Sequence, residues 1–381
     1  MQGLTFYEFF AGGGMVRAGL GDGWTCLFAN DFDSGKAAAY AANWGEGEMR
    51  CADIHALSSD DLPGVADLAW ASFPCQDLSL AGAQAGLGGA RSGAFFGFRD
   101  LIAGLRAQAR APRLLALENV VGALSSNKGR DFHALCAALR DLGYACGALV
   151  VDAALFTPQS RPRLFVVALR ADLEPPAGLT GAGPDAAFAP PALLRAHDSM
   201  PDDLKRAWRW WRLAAPAQTN ARLVDLLERD PADVRWRSPD ETRRLIDMMD
   251  SANRAKLDAA LASGGLQVGA LYRRTRKDAQ GRKVQRAEVR FDGLAGCLRT
   301  PGGGSSRQFL LIVEGGEVRS RLLSGREAAR LMGLPEDYAL PARYSDAYHL
   351  LGDGVAPPVV RHLARSLFEP LLRRPLGQAA A

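Results

Sequence analysis

Apolar positions in the first 170 residues fall into short, nearly uninterrupted runs: Leu4 to Phe10, Thr25 to Ala29, Asp67 to Phe73, Leu114 to Glu118, Ala148 to Val151 and Leu164 to Leu169. Runs of this length predict strands buried on both faces. Between them the period changes. Phe98, Leu101, Ile102 and Leu105 recur three and four apart, as do Phe132, Leu135, Cys136, Leu139 and Leu142, which predicts helices with one apolar face. Strand and helix in alternation predict an α/β fold with a Rossmann-like, doubly wound, mostly parallel sheet, whose ligands lie at the carboxyl ends of the strands.

The rhythm stops near residue 174. Glu174 to Pro191 is rich in Pro, Gly and Ala, as a linker or long loop is, and the chain beyond holds Trp208, Trp210 and Trp211, a basic segment and the stretch Gly302 to Gly304. Near the end, Pro357 and Pro358 stand where a first helical turn begins, with Val359, Val360, Leu363 and Leu367 on one face. We therefore expect a large domain of residues 1–175 and 345–381, the last helix packing back on it, and a second, smaller domain of residues 176–344. A chain of 381 residues is long enough for two cores.

Composition changes the picture little. Apolar content of 48% with 23% charged residues excludes long disorder. No apolar stretch is long enough to span a membrane and Met1 to Phe10 lacks the basic start of a signal peptide, so a cytoplasmic protein without membrane contact is expected. The six cysteines are scattered without a C-x-x-C pair, which indicates neither a metal site nor a disulfide framework. Charge is more informative. Of the net +4, the segment Arg273 to Arg290 holds eight Lys or Arg against two acids, a local +6 that leaves the remainder at −2. This suits a polyanion, and equally a solvated basic hairpin without a ligand.

Four strand ends carry candidate chemistry. After the first strand, Phe10-Ala11-Gly12-Gly13-Gly14 forms a turn that lets a ligand approach the backbone, or simply a tight turn; it is not the dinucleotide fingerprint, whose third glycine would fall on Arg17. Asn30-Asp31-Phe32 offers a carboxylate for ribose hydroxyls and a ring to stack on adenine, and Asp53 either accepts from an adenine amino group or caps a helix before His55. After the third strand, Phe73-Pro74-Cys75-Gln76 places a thiol at the ligand edge, although a lone cysteine is more often inert. Glu118-Asn119-Val120 ends the neighbouring strand, so a thiol and a carboxyl can face one pocket. Gln159-Ser160-Arg161-Pro162-Arg163 then sets two arginines on one side of an extended segment.

In this order the motifs resemble those of the DNA cytosine-5 methyltransferases, and the resemblance covers nearly the whole chain. Phe10 to Gly14 resemble the family's first cofactor motif, Asn30 to Phe32 and Asp53-Ile54 its adenosine contacts, and Pro74-Cys75-Gln76 its catalytic loop. Arg91 to Phe96, Glu118 to Val120 and Gln159 to Arg163 follow. Arg321 to Pro335 is similar to the motif that organises the recognition domain, and Gly352-Asp353-Gly354-Val355 to the closing motif. Met15 and Glu8 depart from the usual residues near the methionine end of the cofactor. Asp353 replaces the usual Asn; its carboxylate suits the cofactor's ammonium group or a cap on the last helix.

The resemblance implies an S-adenosylmethionine-dependent methyltransferase fold with a target-recognition domain. Phe10, Ala11, Gly12, Gly13, Gly14, Asp31, Phe32, Asp53, Ile54, Pro74, Asp353, Gly354 and Val355 would hold S-adenosylmethionine. Cys75 would add to carbon 6 of a flipped-out cytosine, Glu118 would donate a proton or strong hydrogen bond to ring nitrogen 3, which requires a raised pKa, and Arg163 would hold the base oxygen. Arg161 would neutralise developing charge or steady the Cys75 loop, which Asn119 would position. Gln76, Ser79, Arg91, Arg273, Arg274, Arg276, Lys277 and Arg307 would meet double-stranded DNA. The Trp208 to Trp211 run reads more readily as core than as a base-stacking platform. A separate cognate restriction endonuclease, nucleoid association and a monomeric enzyme complete the expectation. Within the family a transfer RNA substrate is the alternative; outside it, a catalytically silent DNA-binding scaffold, or a nicotinamide-dependent oxidoreductase, which leaves Pro74-Cys75-Gln76 without a role.

Overall fold

Seven strands build the central sheet: β1 (Leu4–Phe9), β2 (Trp24–Asp31), β3 (Met49–Cys51), β4 (Leu68–Ala71), β5 (Leu114–Val120), β6 (Tyr144–Asp152) and β7 (Pro162–Arg170). The computed structural model describes residues 3–73, 93–216, 221–278, 280–300, 307–373 and 377–378. Strand order is β3-β2-β1-β4-β5-β7-β6. The strands from β3 to β5 pair in parallel, and β7 runs antiparallel to both of its neighbours. The sheet is thus mostly parallel and doubly wound, with the strand order turning outward on either side of β1 and β4, where ligand crevices form.

Helices α1 (Met15–Leu20), α2 (Ser34–Trp44), α3 (Ala94–Ala107) and α4 (Arg130–Asp141) follow strands β1, β2, β4 and β5. The apolar stripe of α3, including Phe98, Leu101, Ile102 and Leu105, is buried against the sheet with Phe9, Phe28 and Leu117. On the other side α11 (Pro357–Leu363) begins at Pro357 as the two prolines predict, and Val359, Val360, Leu363 and Leu367 are all buried. It packs on α1 at Gly19, where a Cβ would lie 2.4 Å from that of Val360.

Two compact units divide the chain, one of residues 1–152, 162–216 and 355–381, the other of residues 153–161 and 217–354. Residues 176–216, expected with the smaller domain, pack in the first unit. There the chain forms β8 (Leu173–Glu174), β9 (Thr180–Gly181), α5 (Pro191–Asp198), α6 (Asp202–Ala207) and β10 (Trp210–Trp211), and Phe188 and Arg209 hydrogen-bond to the backbone of edge strand β6. The tryptophan run belongs to this core: Trp208 stacks edge-on with Phe132, and the Trp211 indole donates to the Val167 carbonyl at 3.0 Å.

The second unit is built on a four-stranded antiparallel sheet of order β12-β11-β13-β14, formed by β11 (Gln267–Lys277), β12 (Lys283–Arg290), β13 (Phe309–Glu314) and β14 (Glu317–Leu322). Alternate residues Leu271, Ala287, Val289, Phe309, Leu311 and Val313 face α7 (Pro239–Asp247) and α8 (Ser251–Ala262), which contribute Leu245 and Leu257 to that core, with Met249 from the turn between them. Helices α9 (Gly325–Met332) and α10 (Tyr344–Asp353) complete the unit. Arg321 and Glu327 form a buried ion pair at 2.6 Å, and Glu327 closes a capping box with Ser324 at the start of α9. The pairing satisfies two charges that would be costly alone at that depth.

Candidate active site

Strand β1 ends at Phe9, and the chain turns through Phe10 (φ 57°) and Gly12 (φ 54°) to Gly14 (φ 78°), which caps α1. Gly14 needs to be glycine twice over: its φ is left-handed, and a Cβ would meet the Trp44 indole at 2.3 Å. The turn is tied to β2 by the Ala11 N–H, which donates to the Asn30 carbonyl at 2.9 Å, and by the Gly12 N–H, which donates to Asp31 Oδ2 at 2.9 Å. Asp31 Oδ1 accepts from the Asp33 N–H at 3.0 Å. The Asn30 amide donates to the carbonyls of Arg50 at 2.9 Å and Ala52 at 2.8 Å, fixing the next loop.

That loop brings Asp53 and Ile54 to the same place. With Phe10, Asn30, Phe32 and Ala94 they line a groove of about 260 Å³ at the carboxyl edge of the sheet. The Asp53 carboxylate accepts from the His55 N–H at 2.9 Å, so its capping role is real, and no other hydrogen bond reaches it from the described residues. Phe32 is 68% exposed, a large ring left in water beside a groove with an apolar floor. A planar heterocycle bearing a ribose fits this set, with a ring to cover, a carboxylate at the glycine turn and a second one across the groove. The adenosine of S-adenosylmethionine is such a group. Gly93 and Ala94, which open α3 at the groove, fall within the Arg91 to Phe96 motif, to which the sequence assigns no cofactor contact.

Glu8 lies one strand-turn away from this groove and is fully buried, with no hydrogen-bond partner for either carboxyl oxygen among the described residues. Burial pushes its pKa up from 4.5 to about 8, against the opposing pull of the Arg17 charge. Met15, the other departure in this motif, is buried at the first turn of α1.

Pro74, Cys75, Gln76, Ser79 and Arg91 lie outside the described residues. The groups expected around Cys75 are described. Glu118 on β5 and Arg163 on β7 form an ion pair at 3.1 Å. The antiparallel register sets Val120 opposite Arg163 and Glu118 opposite Phe165, so the pair is a cross-strand diagonal. Beside it, the Asn119 amide donates to the Phe73 carbonyl at 3.0 Å and its oxygen accepts from the Val120 N–H at 2.9 Å. Asn119 therefore clamps the end of the segment that leads into Pro74 and Cys75.

Arg161 is held by backbone carbonyls. It is 2% exposed, and its guanidinium donates to the carbonyls of Leu298 at 2.8 Å, Gly352 at 2.8 Å and Gly354 at 2.6 Å, and to Cys297 Sγ at 3.2 Å. These bonds lie within the second unit, so Arg161 braces that unit's backbone. Gln159 braces the same region, donating to the Leu331 carbonyl at 2.9 Å and accepting from the Leu298 N–H at 3.1 Å. Asp353 receives a hydrogen bond from the Thr300 hydroxyl. It does not cap the last helix, whose N-cap is Ala356. Gly354 follows in the second unit and Val355 is buried in the first.

Of the remaining candidates, Arg273 lies over the Phe309 ring at 5.4 Å, Arg274 over Tyr272 at 5.4 Å and Arg307 over Tyr344 at 5.3 Å. Arg274 and Arg276 both pair with Glu288, and Lys277 is exposed opposite Lys283 near the hairpin turn. Gly302 to Ser306 lie outside the described residues. No helix among the described residues is long and apolar enough to cross a membrane.

Residues 4–369 match the family of C-5 cytosine-specific DNA methylases. The chain is 27% identical over 371 residues to the type II methyltransferase M.BsuFI of Bacillus subtilis, covering 97% of this chain and 73% of that protein. It is 24% identical over 378 residues to the type II methyltransferase M.HhaI of Haemophilus parahaemolyticus, covering 98% and 97%. Among solved structures it is similar to the Dnmt2 methyltransferase of S. pombe, with a TM-score of 0.55 at 18% identity, covering 97% of this chain and 99% of that one. A Spodoptera frugiperda DNMT2 mutant gives a TM-score of 0.61 at 16% identity, covering 96% and 100%.

Proposed function

The chain belongs to the C-5 cytosine-specific DNA methylases, and from that premise we propose that Cys75 is its nucleophile and that Glu118, Arg163 and Asn119 form the pocket around the target base. The protein is an S-adenosylmethionine-dependent DNA cytosine-5 methyltransferase. Carbon 5 of cytosine is too weak a nucleophile to take the methyl group unaided. Addition of the Cys75 thiolate to carbon 6 moves an electron pair into the ring toward nitrogen 3, making carbon 5 nucleophilic. Glu118 hydrogen-bonds at nitrogen 3 and the exocyclic amine, where the developing charge is neutralised by a proton, and Arg163 reaches the base oxygen from the same edge. Held by Asp31, Phe32, Asp53 and Ile54 through its adenosine, S-adenosylmethionine would supply an electrophilic methyl group to carbon 5. Loss of the carbon 5 proton to water or hydroxide then expels the Cys75 sulfur and restores the aromatic ring.

The single observation that carries this reading is the Glu118–Arg163 pair at 3.1 Å beside Asn119, which holds the Phe73 carbonyl two residues before Cys75. We assign Arg161 to bracing rather than to the reacting base. A stacked cytosine cannot enter such a pocket, so the base is flipped out of the duplex at a cost of roughly a few kcal/mol. Residues 217–354, with the basic hairpin, read the DNA sequence, and Asp31, Phe32, Asp53 and Ile54 hold the adenosine. The type II names of the relatives support a modification role beside a separate restriction endonuclease; we further propose that a monomer performs it in the cytoplasm, at the nucleoid.

Bisulfite sequencing of a mixed-sequence duplex, incubated with S-adenosylmethionine and either native protein or Cys75→Ser, tests the whole reading. Protection of cytosines in one short context by the native protein alone supports it. Binding of the duplex with no protected cytosine refutes it in favour of a silent scaffold.

A further inference from the structure

The hairpin of β11 and β12 holds two acids among eight basic residues. Asp278 is explained by the turn: it accepts from the N–H groups of Gln280 at 3.0 Å and Arg282 at 2.8 Å and from Arg282 Nε at 2.8 Å. Glu288 has no such reason. It stands opposite Tyr272, on the face turned away from the Leu271, Ala287 and Val289 core, and that face also carries Arg274 and Arg276. These residues border an open groove of about 680 Å³, together with Arg290 and Arg299. A carboxylate in a groove otherwise so basic repels phosphate, so a surface built only to hold the DNA backbone gains nothing from it.

What Glu288 does touch is specific. Its Oε1 lies 2.5 Å from Arg276 Nε and its Oε2 lies 3.3 Å from Arg274 Nε. Both guanidinium groups are held at Nε, and among the described residues no hydrogen bond engages the two terminal nitrogens of either. Each is therefore an oriented fork with its outer donors available. A two-stranded ribbon enters the DNA major groove, and an arginine fork matches the O6 and N7 acceptors of guanine. Residues two apart on a strand are separated by about 6.8 Å, close to two base-pair steps of about 3.4 Å each.

We propose that Glu288 is a positioning residue for sequence recognition: it grips the Nε edges of Arg274 and Arg276 and presents both forks to guanines in the target sequence. The proposal rests on the reading of the protein as a methyltransferase of duplex DNA. Glutamine at position 288 keeps the shape but has one strong acceptor and no charge, so at most one arginine stays oriented.

The test is context profiling by bisulfite sequencing on a randomised duplex library, comparing native protein, Glu288→Gln and Arg276→Lys, with melting curves to confirm folding. The native profile is expected to require guanine at two positions. Glu288→Gln is expected to reduce that preference by roughly tenfold or more, the scale of one bidentate contact, while affinity for unrelated duplex tightens as a negative charge is lost. Arg276→Lys keeps the charge and loses the fork, so it should relax one of the two positions without disturbing Glu288. A native context profile retained in Glu288→Gln, or a uniform loss across all contexts in both variants, overturns the proposal. A native protein that methylates no context overturns the function on which it rests, a result distinguishable from the first two.

Discussion

Replacing Glu8 by glutamine keeps the size of a fully buried side chain and removes its ability to ionise. In the folded protein burial raises this carboxyl from 4.5 to about 8. Below the unfolded value both states hold the proton. Between the two values the unfolded chain has lost it while the native state retains it, so stability is complete at low pH and falls as pH rises toward 8, with no further loss above that. The slope is up to about 1.4 kcal/mol per pH unit, and the whole window amounts to on the order of 5 kcal/mol. In Glu8→Gln this contribution is absent. Urea unfolding at about pH 5 and about pH 8 should therefore show the variant gaining several kcal/mol on the native protein between the two. Tryptophan fluorescence suits the measurement because six of the seven tryptophans, all except Trp236, lie in the unit that contains Glu8. Parallel pH profiles for the two proteins would refute the reasoning.

Two other substitutions separate bracing from binding. Arg161→Met removes hydrogen bonds to three buried carbonyls and should cost roughly 3–5 kcal/mol, seen by calorimetry as an earlier transition; Arg161→Lys should recover little, since an ammonium cannot span the same acceptors. An unchanged transition in Arg161→Met would return Arg161 to the catalytic residues. Phe32→Ala removes an exposed ring at the groove and should weaken S-adenosylmethionine binding by roughly 5- to 100-fold in a titration, without altering the methylated context. Unchanged affinity would place the adenine elsewhere.

The parallel half of the sheet was legible because β1, β2, β4 and β5 are apolar runs buried over most of their length. Strand β3 was not: it is three residues long and none of them is fully buried, so it leaves no pattern. Strand β6 was read only from Ala148, although it starts at Tyr144, because Gly147 interrupts the run. That glycine lets the Arg209 carbonyl approach so closely that a Cβ would sit 1.8 Å from it, a tertiary reason with no local signal. The same contact explains the misplaced stretch 176–216, whose sparse apolar residues Phe188, Leu193, Trp208 and Trp211 are buried in the first unit without helical or strand periodicity. At the site, alternation suggested one side for Arg161 and Arg163. The strand begins only at Pro162, between them, and each arginine finds partners in a different unit. The Glu118–Arg163 pair depends on an antiparallel register that only the folded sheet reveals.

The central claim is the covalent bond between Cys75 and the base. A duplex in which 5-fluorocytosine replaces the target cytosine traps that bond, because fluorine cannot leave carbon 5 as a proton does. Peptide mass spectrometry after incubation with S-adenosylmethionine should locate a methylated nucleotide on Cys75, and no adduct should form with Cys75→Ser. Context-specific methylation of ordinary duplex without any trapped adduct, or an adduct on another cysteine such as Cys51 or Cys297, would contradict the account.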